Sequence, residues 1–419
     1  MSPQPGARFA AAVADRLAEP SAVPAHLATQ PWWRQSVAHG APGIALLHIE
    51  RAAAGDGPWQ RAHDWIAYAA DKPVTTGADS HLFYGGPALA HAMACAADGR
   101  PGAYGKALAG LDQSIAATTG RRLDDAHARL DRGDLPALAE FDVIRGLTGM
   151  GAYLLRRGSD EKTLRQCLEY LVRLTEPVRH DSEVLPGWWT LTAPSGRRRA
   201  RFAGGHANSG MAHGIAGPLA LLALACLRGV SVHGHREAIG RICGWLDRWR
   251  TRTPSGEVWP YWVNRAQYRA GRRGTDERQP PSWCYGTAGL ARAQQLGAMA
   301  LADAAARTRA EQALADALES PTQQAATTDG SLCHGHAGLA HLAATTAADA
   351  EPGTGKRILA RVPSLLEQAQ PADAPLEDLA AGLLGAAGPG FLEGAVGTAL
   401  AAAGASPPLT GWDTCLLIR

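Results

Sequence analysis

The chain of 419 residues is long enough for two domains of average size, or for one large fold built from repeats. Hydrophobic residues make up 46% of it and charged residues 19%, so it holds ample material for a packed core. The formal net charge is only +2, from 41 basic and 39 acidic residues. This balance predicts no nucleic-acid partner and at most a peripheral association with membranes.

One pattern recurs along the chain: Gly-x-x-Gly followed by an apolar stretch of helical character. The first copy, at Gly40 and Gly43, precedes Ile44-Ala-Leu-Leu, and a degenerate second copy follows as Phe83-Tyr-Gly85-Gly86-Pro-Ala-Leu-Ala. The later glycine pairs stand at positions 146 and 149, 214 and 217, 286 and 289, 335 and 338, and 394 and 397. Successive first glycines lie from 45 (40 to 85) to 72 (214 to 286) residues apart, which indicates a loose repeat of seven units.

Between the glycine motifs, apolar residues recur at helical spacing, as in residues 107–116 and 161–174. Each unit therefore predicts an inner helix of small residues followed by an amphipathic outer helix. Seven such pairs predict an all-α fold, an α/α toroid in which seven inner and seven outer helices form a double ring, as a single domain over residues 1–419. Tryptophan-rich pieces at 188–192 and 258–262 predict a few short irregular or β insertions. An open α-solenoid fits the periodicity almost as well.

Two of the motifs carry cysteine just ahead of the first glycine, in Trp283-Cys284-Tyr285-Gly286 and in Leu332-Cys333-His334-Gly335. Two thiolates and one imidazole suit a zinc ion, so we predict that Cys284, Cys333 and His334 bind Zn²⁺. Closure of the repeat into a ring would bring these residues to one end of the fold. Three protein ligands leave one tetrahedral position open, which is typical of catalytic zinc sites.

The cysteines also indicate a compartment. There are seven, scattered without a closely spaced framework, which favours a reducing environment. The N-terminus lacks the pattern of a signal peptide, and the longest apolar run, residues 215–227, is too short to span a bilayer. We therefore expect a soluble cytoplasmic protein.

The ordered motifs resemble those of lanthionine synthetases of the LanC type, the cyclases of class I lantibiotic biosynthesis. The resemblance covers nearly the whole chain. It is carried by Ser36-Val-Ala-His39-Gly40, Asp142-Val-Ile-Arg-Gly146, Ala212-His213-Gly214, Gly256-Glu-Val-Trp259-Pro260, Trp283-Cys284-Tyr285-Gly286, Cys333-His334-Gly335 and Gly411-Trp412-Asp413. Any one glycine pair is a weak indication, but the ordered set with both cysteine motifs is very specific.

The resemblance implies an α/α toroid with zinc at the mouth of its central cavity, held by Cys284, Cys333 and His334. It further implies a peptide cyclase that acts on a dehydrated precursor peptide, leader plus core. A cysteine thiolate of that peptide adds to dehydroalanine or dehydrobutyrine by Michael addition and closes a lanthionine or methyllanthionine thioether ring. A lantibiotic dehydratase and a peptide transporter are the expected partners.

Such an addition leaves an enolate that needs a proton at its α-carbon. His213 is the candidate acid, since an imidazole titrates near neutral pH. Asp142 could orient that imidazole, take the thiol proton, or both, and Tyr285 offers a hydroxyl to the substrate or to the enolate. The family pattern has an arginine four residues before the first zinc cysteine. This chain has Pro280 there, and Arg278 could reach in instead.

Three further histidines adjoin the glycine motifs without being predicted as metal ligands: His39, His336 and His341. The motif of His39 has no cysteine, so this side chain is expected to form hydrogen bonds at the mouth of the toroid. His336 follows the ligand His334 by two positions and is expected to point away from the metal.

Other functions stay open at this stage. A LanC-like enzyme that adds glutathione to dehydrated residues of damaged proteins would use the same zinc and thiolate chemistry. A non-catalytic, zinc-stapled scaffold for a dehydratase and a transporter would have no need of His213. Another α/α toroid, such as a zinc prenyltransferase or a glycosidase, is more distant, because a glycosidase needs paired carboxylates that do not accompany these motifs.

Overall fold

Each of the seven glycine motifs leads directly into an α-helix. A computed structural model describes residues 5–30, 32–271, 278–370, 375–404 and 407–419; residues 1–4, part of the N-terminus considered above, lie outside it. The seven helices are Ala41–Ala53, Gly86–Gly99, Leu147–Arg157, Ala216–Leu227, Thr287–Leu301, His336–Ala348 and Ala395–Ala402. The predicted start of every inner helix is therefore confirmed.

The stretches before, between and after the motifs hold the other helices. The α-helices are Pro5–Arg16, Ala25–Ala28, Trp59–Ala70, Gly105–Asp131, Leu138–Phe141, Glu161–Leu174, His235–Trp249, Arg265–Ala270, Ala304–Glu319, Pro321–Ala325, Pro352–Leu359, Val362–Ala369 and Leu376–Ala387, and the 3₁₀ helices are Pro20–Ala22, Trp33–Gln35, Ala200–Phe202 and Trp412–Leu416. Glu161–Leu174 shows the predicted amphipathic pattern, because Leu164, Leu168 and Leu171 are buried whereas Glu169 is exposed. This burial of one face is what holds such a helix in place.

The β insertions are short antiparallel strands. Val178–His180 pairs with Glu183–Leu185, Thr251–Thr253 pairs with Gly256–Val258, and His206–Asn208 lies between Trp189–Thr190 and Trp262–Asn264 in a three-stranded sheet. In that sheet, Ala207 is opposite Trp189 on one side and Val263 on the other. The pairing confirms the insertions predicted at both tryptophan-rich pieces. It also fixes the strand His206–Asn208, which ends five residues before His213.

The chain forms two compact units, each from several segments. The first comprises Met1–Ile115, Thr328–Thr345 and Ala360–Cys415, and the second comprises Ala116–Thr327, Thr346–Leu359 and Leu416–Arg419. In the first, Ala395–Ala402 packs against Ala41–Ala53, which packs against Gly86–Gly99. In the second, Leu147–Arg157 packs against Ala216–Leu227, which packs against Thr287–Leu301. The single domain over residues 1–419 stays a prediction.

The apolar helices that follow the motifs are largely buried. In Ala216–Leu227 every residue from Ala216 to Ala225 is buried, as expected for an inner helix with no polar face. Among the described residues, no helix is long and apolar enough to cross a membrane.

The second glycine of a motif lies against the loop that precedes its own helix. A Cβ atom on Gly289 would overlap the carbonyl oxygen of Trp283, and one on Gly338 would overlap that of Leu332. The loop thus folds back over the first turn of its helix, which only glycine permits at this distance. The backbone between each of these carbonyl groups and its glycine therefore forms a short arch. One of the two arches contains Cys284.

The C-terminal segment is tied to the core of each unit by buried polar groups. The buried carboxylate of Glu50 accepts hydrogen bonds from the backbone N–H groups of Leu409 and Thr410, at 2.7 and 3.0 Å. In the second unit, Trp283 Nε1 donates to the carbonyl of Leu416 at 3.0 Å. Arg292, 1% exposed, donates through Nε to the carbonyl of Ile418 at 2.7 Å.

Two buried histidines make the folding stability of the protein depend on pH. His48 Nε2 lies 2.8 Å from the carbonyl oxygen of Leu17, and His206 Nε2 lies 3.0 Å from that of Thr192. Burial lowers the pKa of each imidazole to about 4, from an ordinary value of about 6.5. Between these values the unfolded chain binds more protons than the folded one, so stability is lost as the pH falls.

As the pH is lowered from about 6.5 to 4, we expect each of the two histidines to decrease the free energy of unfolding by up to about 1.4 kcal/mol for every pH unit. Urea unfolding midpoints at intervals of half a pH unit would measure the slope. A His206→Gln variant can still donate to Thr192 but does not titrate, so its profile should be flatter. An identical slope in that variant would show that His206 contributes nothing to it.

Candidate active site and metal centre

Three of the glycine-motif loops have a polar capping residue at the same position, four residues before the first glycine. In the loop that carries Cys284, the carbonyl oxygen of Ser282 accepts hydrogen bonds from the N–H groups of Gly286 and Gly289, at 3.1 and 3.2 Å. The Ser282 hydroxyl accepts two more, from Tyr285 and Gly286. Ser331 and Asp142 occupy the same position in their loops and accept the equivalent backbone bonds. This residue satisfies backbone donors that a helix start otherwise leaves unpaired.

Asp142 uses its second carboxylate oxygen for a contact that serine cannot make. Oδ1 caps the loop by accepting from the N–H groups of Arg145 and Gly146, at 2.6 and 2.8 Å. Oδ2 lies 2.7 Å from Nδ1 of His213. The side chain of Asp142 is 2% exposed, whereas that of His213 is 27% exposed. An ionised carboxylate only accepts, so the proton lies on Nδ1 and Nε2 is the nitrogen available for chemistry.

Backbone hydrogen bonds between neighbouring loops bring His213 and Tyr285 together. The N–H of Val143 donates to the carbonyl of Ala212 at 3.1 Å, and the N–H of Ala212 donates to that of Cys284 at 3.2 Å. The rings of His213 and Tyr285 consequently lie with their centroids 6.2 Å apart. Three predicted residues, Asp142, His213 and Tyr285, therefore form one cluster in the second unit.

A second side chain fixes the Tyr285 ring. Asn208, at the end of the His206–Asn208 strand, donates through Nδ2 to the Tyr285 hydroxyl at 3.2 Å. The ring also packs on Tyr261, at 5.2 Å between centroids. Both contacts hold the Tyr285 ring beside that of His213.

In the first unit, His334 is held by a carboxylate. Its Nε2 lies 3.2 Å from Oδ2 of Asp329, and Oδ1 of the same carboxylate accepts from the N–H of Ser331 at 2.7 Å. These bonds, that from His334 foremost, hold the pKa of Asp329 well below its usual range. The next residue back, Cys333, donates its N–H to the carbonyl of Leu392 at 2.8 Å.

The three predicted metal ligands are brought together. The sulfur atoms of Cys284 and Cys333 and a ring nitrogen of His334 all lie within 4.8 Å of one another. Ligands of a tetrahedral zinc ion, at about 2.0–2.3 Å from the metal, are less than about 4 Å apart, so a shift of only about 1 Å is needed. Within the described ranges, no other group of three or more histidine, cysteine or acidic side chains is arranged to hold a metal ion.

A family profile described as lanthionine synthetase C-like protein matches residues 31–415. The chain belongs to the lanthionine synthetase C-like family. Membership confirms the family predicted from the motifs and, with it, the enzyme class, a lanthionine synthetase.

Among solved structures, this lanthionine synthetase C-like protein is similar to a nisin cyclase. The TM-score is 0.77 at 20% sequence identity, and the alignment covers 99% of this chain and 96% of that one. The likeness confirms the predicted fold class, an all-α α/α toroid. A search of the curated proteins finds no significant match.

The other histidines and the missing arginine also have defined places. His341 Nε2 lies 2.9 Å from Oδ2 of Asp413, with both side chains buried, and His336 is the buried first residue of its helix. The exposed ring of His39 lies edge-on to Trp32, at 5.7 Å between centroids. At the arginine position, the carbonyl of Pro280 accepts from the N–H of Ser282.

The sequence analysis missed two residues of the site, Asn208 and Asp329. Both stand six positions before the first glycine of their motif, at 214 and 335. That shared spacing and the shared Asx chemistry were visible in the sequence. Their partners were not, because a side chain in a loop finds its contacts only once the backbone is placed.

Proposed function

We propose that this protein is a zinc-dependent peptide cyclase that closes lanthionine or methyllanthionine rings in a dehydrated precursor peptide. The grouping of Cys284, Cys333 and His334 within 4.8 Å carries the proposal. Two thiols and an imidazole form a donor set that suits zinc and leaves a coordination position for a substrate. Zinc bound there would take up a substrate cysteine and favour its thiolate form at neutral pH.

His213 would supply the proton that completes the addition. Attack of the peptide thiolate forms the C–S bond at the β-carbon of the dehydrated residue and places negative charge on its enolate. With Nδ1–H donating to Asp142, the other nitrogen, Nε2, can carry a proton towards the α-carbon. The C–H bond that forms restores a neutral peptide, and the imidazole regains from the solvent a proton equivalent to the one that the substrate thiol lost on becoming a thiolate.

Asp142 would orient and stabilise the imidazole rather than take the thiol proton. Both of its oxygens are engaged, one by two backbone N–H groups and the other by His213. A buried carboxylate 2.7 Å from Nδ1 holds the ring in one orientation and fixes which nitrogen faces the substrate. Of the two roles left open by the sequence, the geometry favours orientation.

Tyr285 would stabilise the developing enolate. A phenol hydroxyl can donate and accept at once, so the Tyr285 hydroxyl, which accepts from Asn208, would donate to a substrate oxygen. A donor held in place before the reaction costs little reorganisation when charge develops. Beside His213, this hydroxyl would bind the carbonyl oxygen while the imidazole serves the neighbouring carbon.

The substrate chemistry implies what must act before this enzyme. Serine and threonine side chains have to lose water first, so a dehydratase must supply the peptide. We propose that this protein works in the cytoplasm, with that dehydratase and a peptide transporter as its partners. The alternative acceptor reaction, addition of glutathione to a dehydrated residue, would use the same side chains but an external thiol.

A thiol count tests the proposed function. Zinc-loaded protein is incubated with a dehydrated precursor peptide that retains its cysteines, and free thiols are then alkylated and counted by mass. We expect the peptide thiols to disappear without a change in peptide mass, because cyclisation is an isomerisation. A mass gain that appears only with glutathione would favour the alternative reaction, and persistence of the thiols would contradict cyclisation.

A further inference from the structure

Three loops of the site use the same device, an Asx side chain with one atom on the loop backbone and the other on a functional ring. Asp142 does so with His213, Asn208 with Tyr285 and Asp329 with His334. Only the first of these pairs is needed for the proton transfer proposed above. The other two, Asn208 and Asp329, both stand six residues before the first glycine of their motif. Their function for the neighbouring ring therefore needs a separate explanation.

Asn208 and Asp329 make matching contacts in their own loops. Oδ1 of each accepts from the N–H two residues further on, at Gly210 and Ser331. The backbone carbonyl of each accepts from the N–H seven residues further on, at Ile215 and His336. The loop backbone is therefore satisfied equally well by asparagine and by aspartate, so capping alone does not account for the charge at position 329.

The side chains of Asn208 and Asp329 differ in the atom that contacts the neighbouring ring. Asn208 presents Nδ2, a donor, to the oxygen of Tyr285. Asp329 presents Oδ2, an acceptor, to Nε2 of His334 at 3.2 Å. A carboxylate there accepts a proton carried on Nε2, so the neutral tautomer that it selects has its lone pair on Nδ1. Neutral imidazole with one bare nitrogen is the form that binds a metal ion.

We propose that Asp329 is a positioning residue for the metal site: it holds the His334 ring with Nε2–H towards its carboxylate and Nδ1 towards the metal. The inference rests on the proposed function, because it assumes that His334 is a ligand. A carboxylate on the far nitrogen of a ligating histidine fixes the tautomer and raises the basicity of the ligand. In Asp329→Asn, the amide would cap the loop as Asn208 does but donate to Nε2, which moves the proton to Nδ1.

Zinc affinity is the test, measured by competition with a chromophoric chelator on the full-length protein. We expect Asp329→Asn and Asp329→Ala to bind zinc about 10–100-fold more weakly than the wild type. Asp303→Asn is the matched control: it removes one carboxylate that caps the Ala304–Glu319 helix through the N–H of Ala306. The control should bind zinc as the wild type does, and thermal melting of each variant reports its folding.

The outcomes separate this inference from the proposed function. A natively melting Asp329→Asn whose zinc affinity falls by less than tenfold would overturn the inference and leave the proposed site intact. A wild-type protein that binds no zinc would overturn the proposed site itself. If Asp329→Asn is unfolded, the variant Asp329→Glu decides, since it keeps the charge and should retain zinc within tenfold of the wild type; a larger loss would overturn the role of the charge.

Discussion

Replacing Cys284 by alanine should remove both the bound zinc and the cyclisation activity. Cys284 is one of three side chains grouped to hold the ion, and two remaining ligands bind zinc far less tightly. The substrate thiol would then react only as its small deprotonated fraction and without being held in place. We expect the rate of thiol loss to fall at least about 10³-fold, because both the lowered thiol pKa and the alignment of the reactants are lost.

Zinc content by atomic absorption and thiol loss by alkylation would measure the two effects together. Cys226→Ala is the matched control, because this half-buried cysteine lies in the Ala216–Leu227 helix and outside the metal-binding group. It should keep one equivalent of zinc and its activity. A Cys284→Ala protein that retains both would contradict the proposed site.

Replacing His213 by asparagine should slow cyclisation without affecting the metal. Its imidazole is no part of the metal-binding group, so zinc content should stay at the wild-type level. Loss of a positioned general acid lowers the rate by about 10²–10⁴-fold. The measurement is kcat with zinc-loaded protein. If the protein is instead a non-catalytic scaffold for a dehydratase and a transporter, the imidazole is not needed. An unchanged cyclisation rate would therefore favour the scaffold hypothesis.

Asp142→Ser separates the two tasks of Asp142. Serine caps the equivalent loops at positions 282 and 331, so this variant should keep its loop and melt close to the wild type. It cannot reach His213, so its kcat should fall nearly as far as that of His213→Asn, and the double variant should be no slower than either single one. Additive losses would show that Asp142 acts on the reaction independently of His213.

The glycine motifs predicted the start of every inner helix because the constraint is local and steric. A Cβ at Gly289 or Gly338 has no room, whatever the rest of the chain does. The grouping of Cys284 with His334 was also predictable, because the donor set has few other uses. Both inferences rest on residue types that tolerate little substitution.

The contacts around the site were not predictable in the same way. Asn208 ends a strand whose place depends on pairing with Trp262–Asn264, more than fifty residues further along the chain. Nothing in the sequence distinguishes Asp329 from an ordinary loop residue. Its contact with His334, through the second carboxylate oxygen, is apparent only in the folded loop. Hydrogen bonds of this kind depend on the direction of a side chain, which the periodicity of a sequence does not encode.

The tie between the chain end and the core has a practical consequence for handling the protein. The carbonyls of Leu416 and Ile418 are the acceptors for Trp283 and for the buried guanidinium of Arg292. Deletion of residues 416–419 would remove the acceptors of Trp283 Nε1 and Arg292 Nε, directly beside the arch that carries Cys284. An intact-mass spectrum that shows these residues present should therefore accompany every zinc titration.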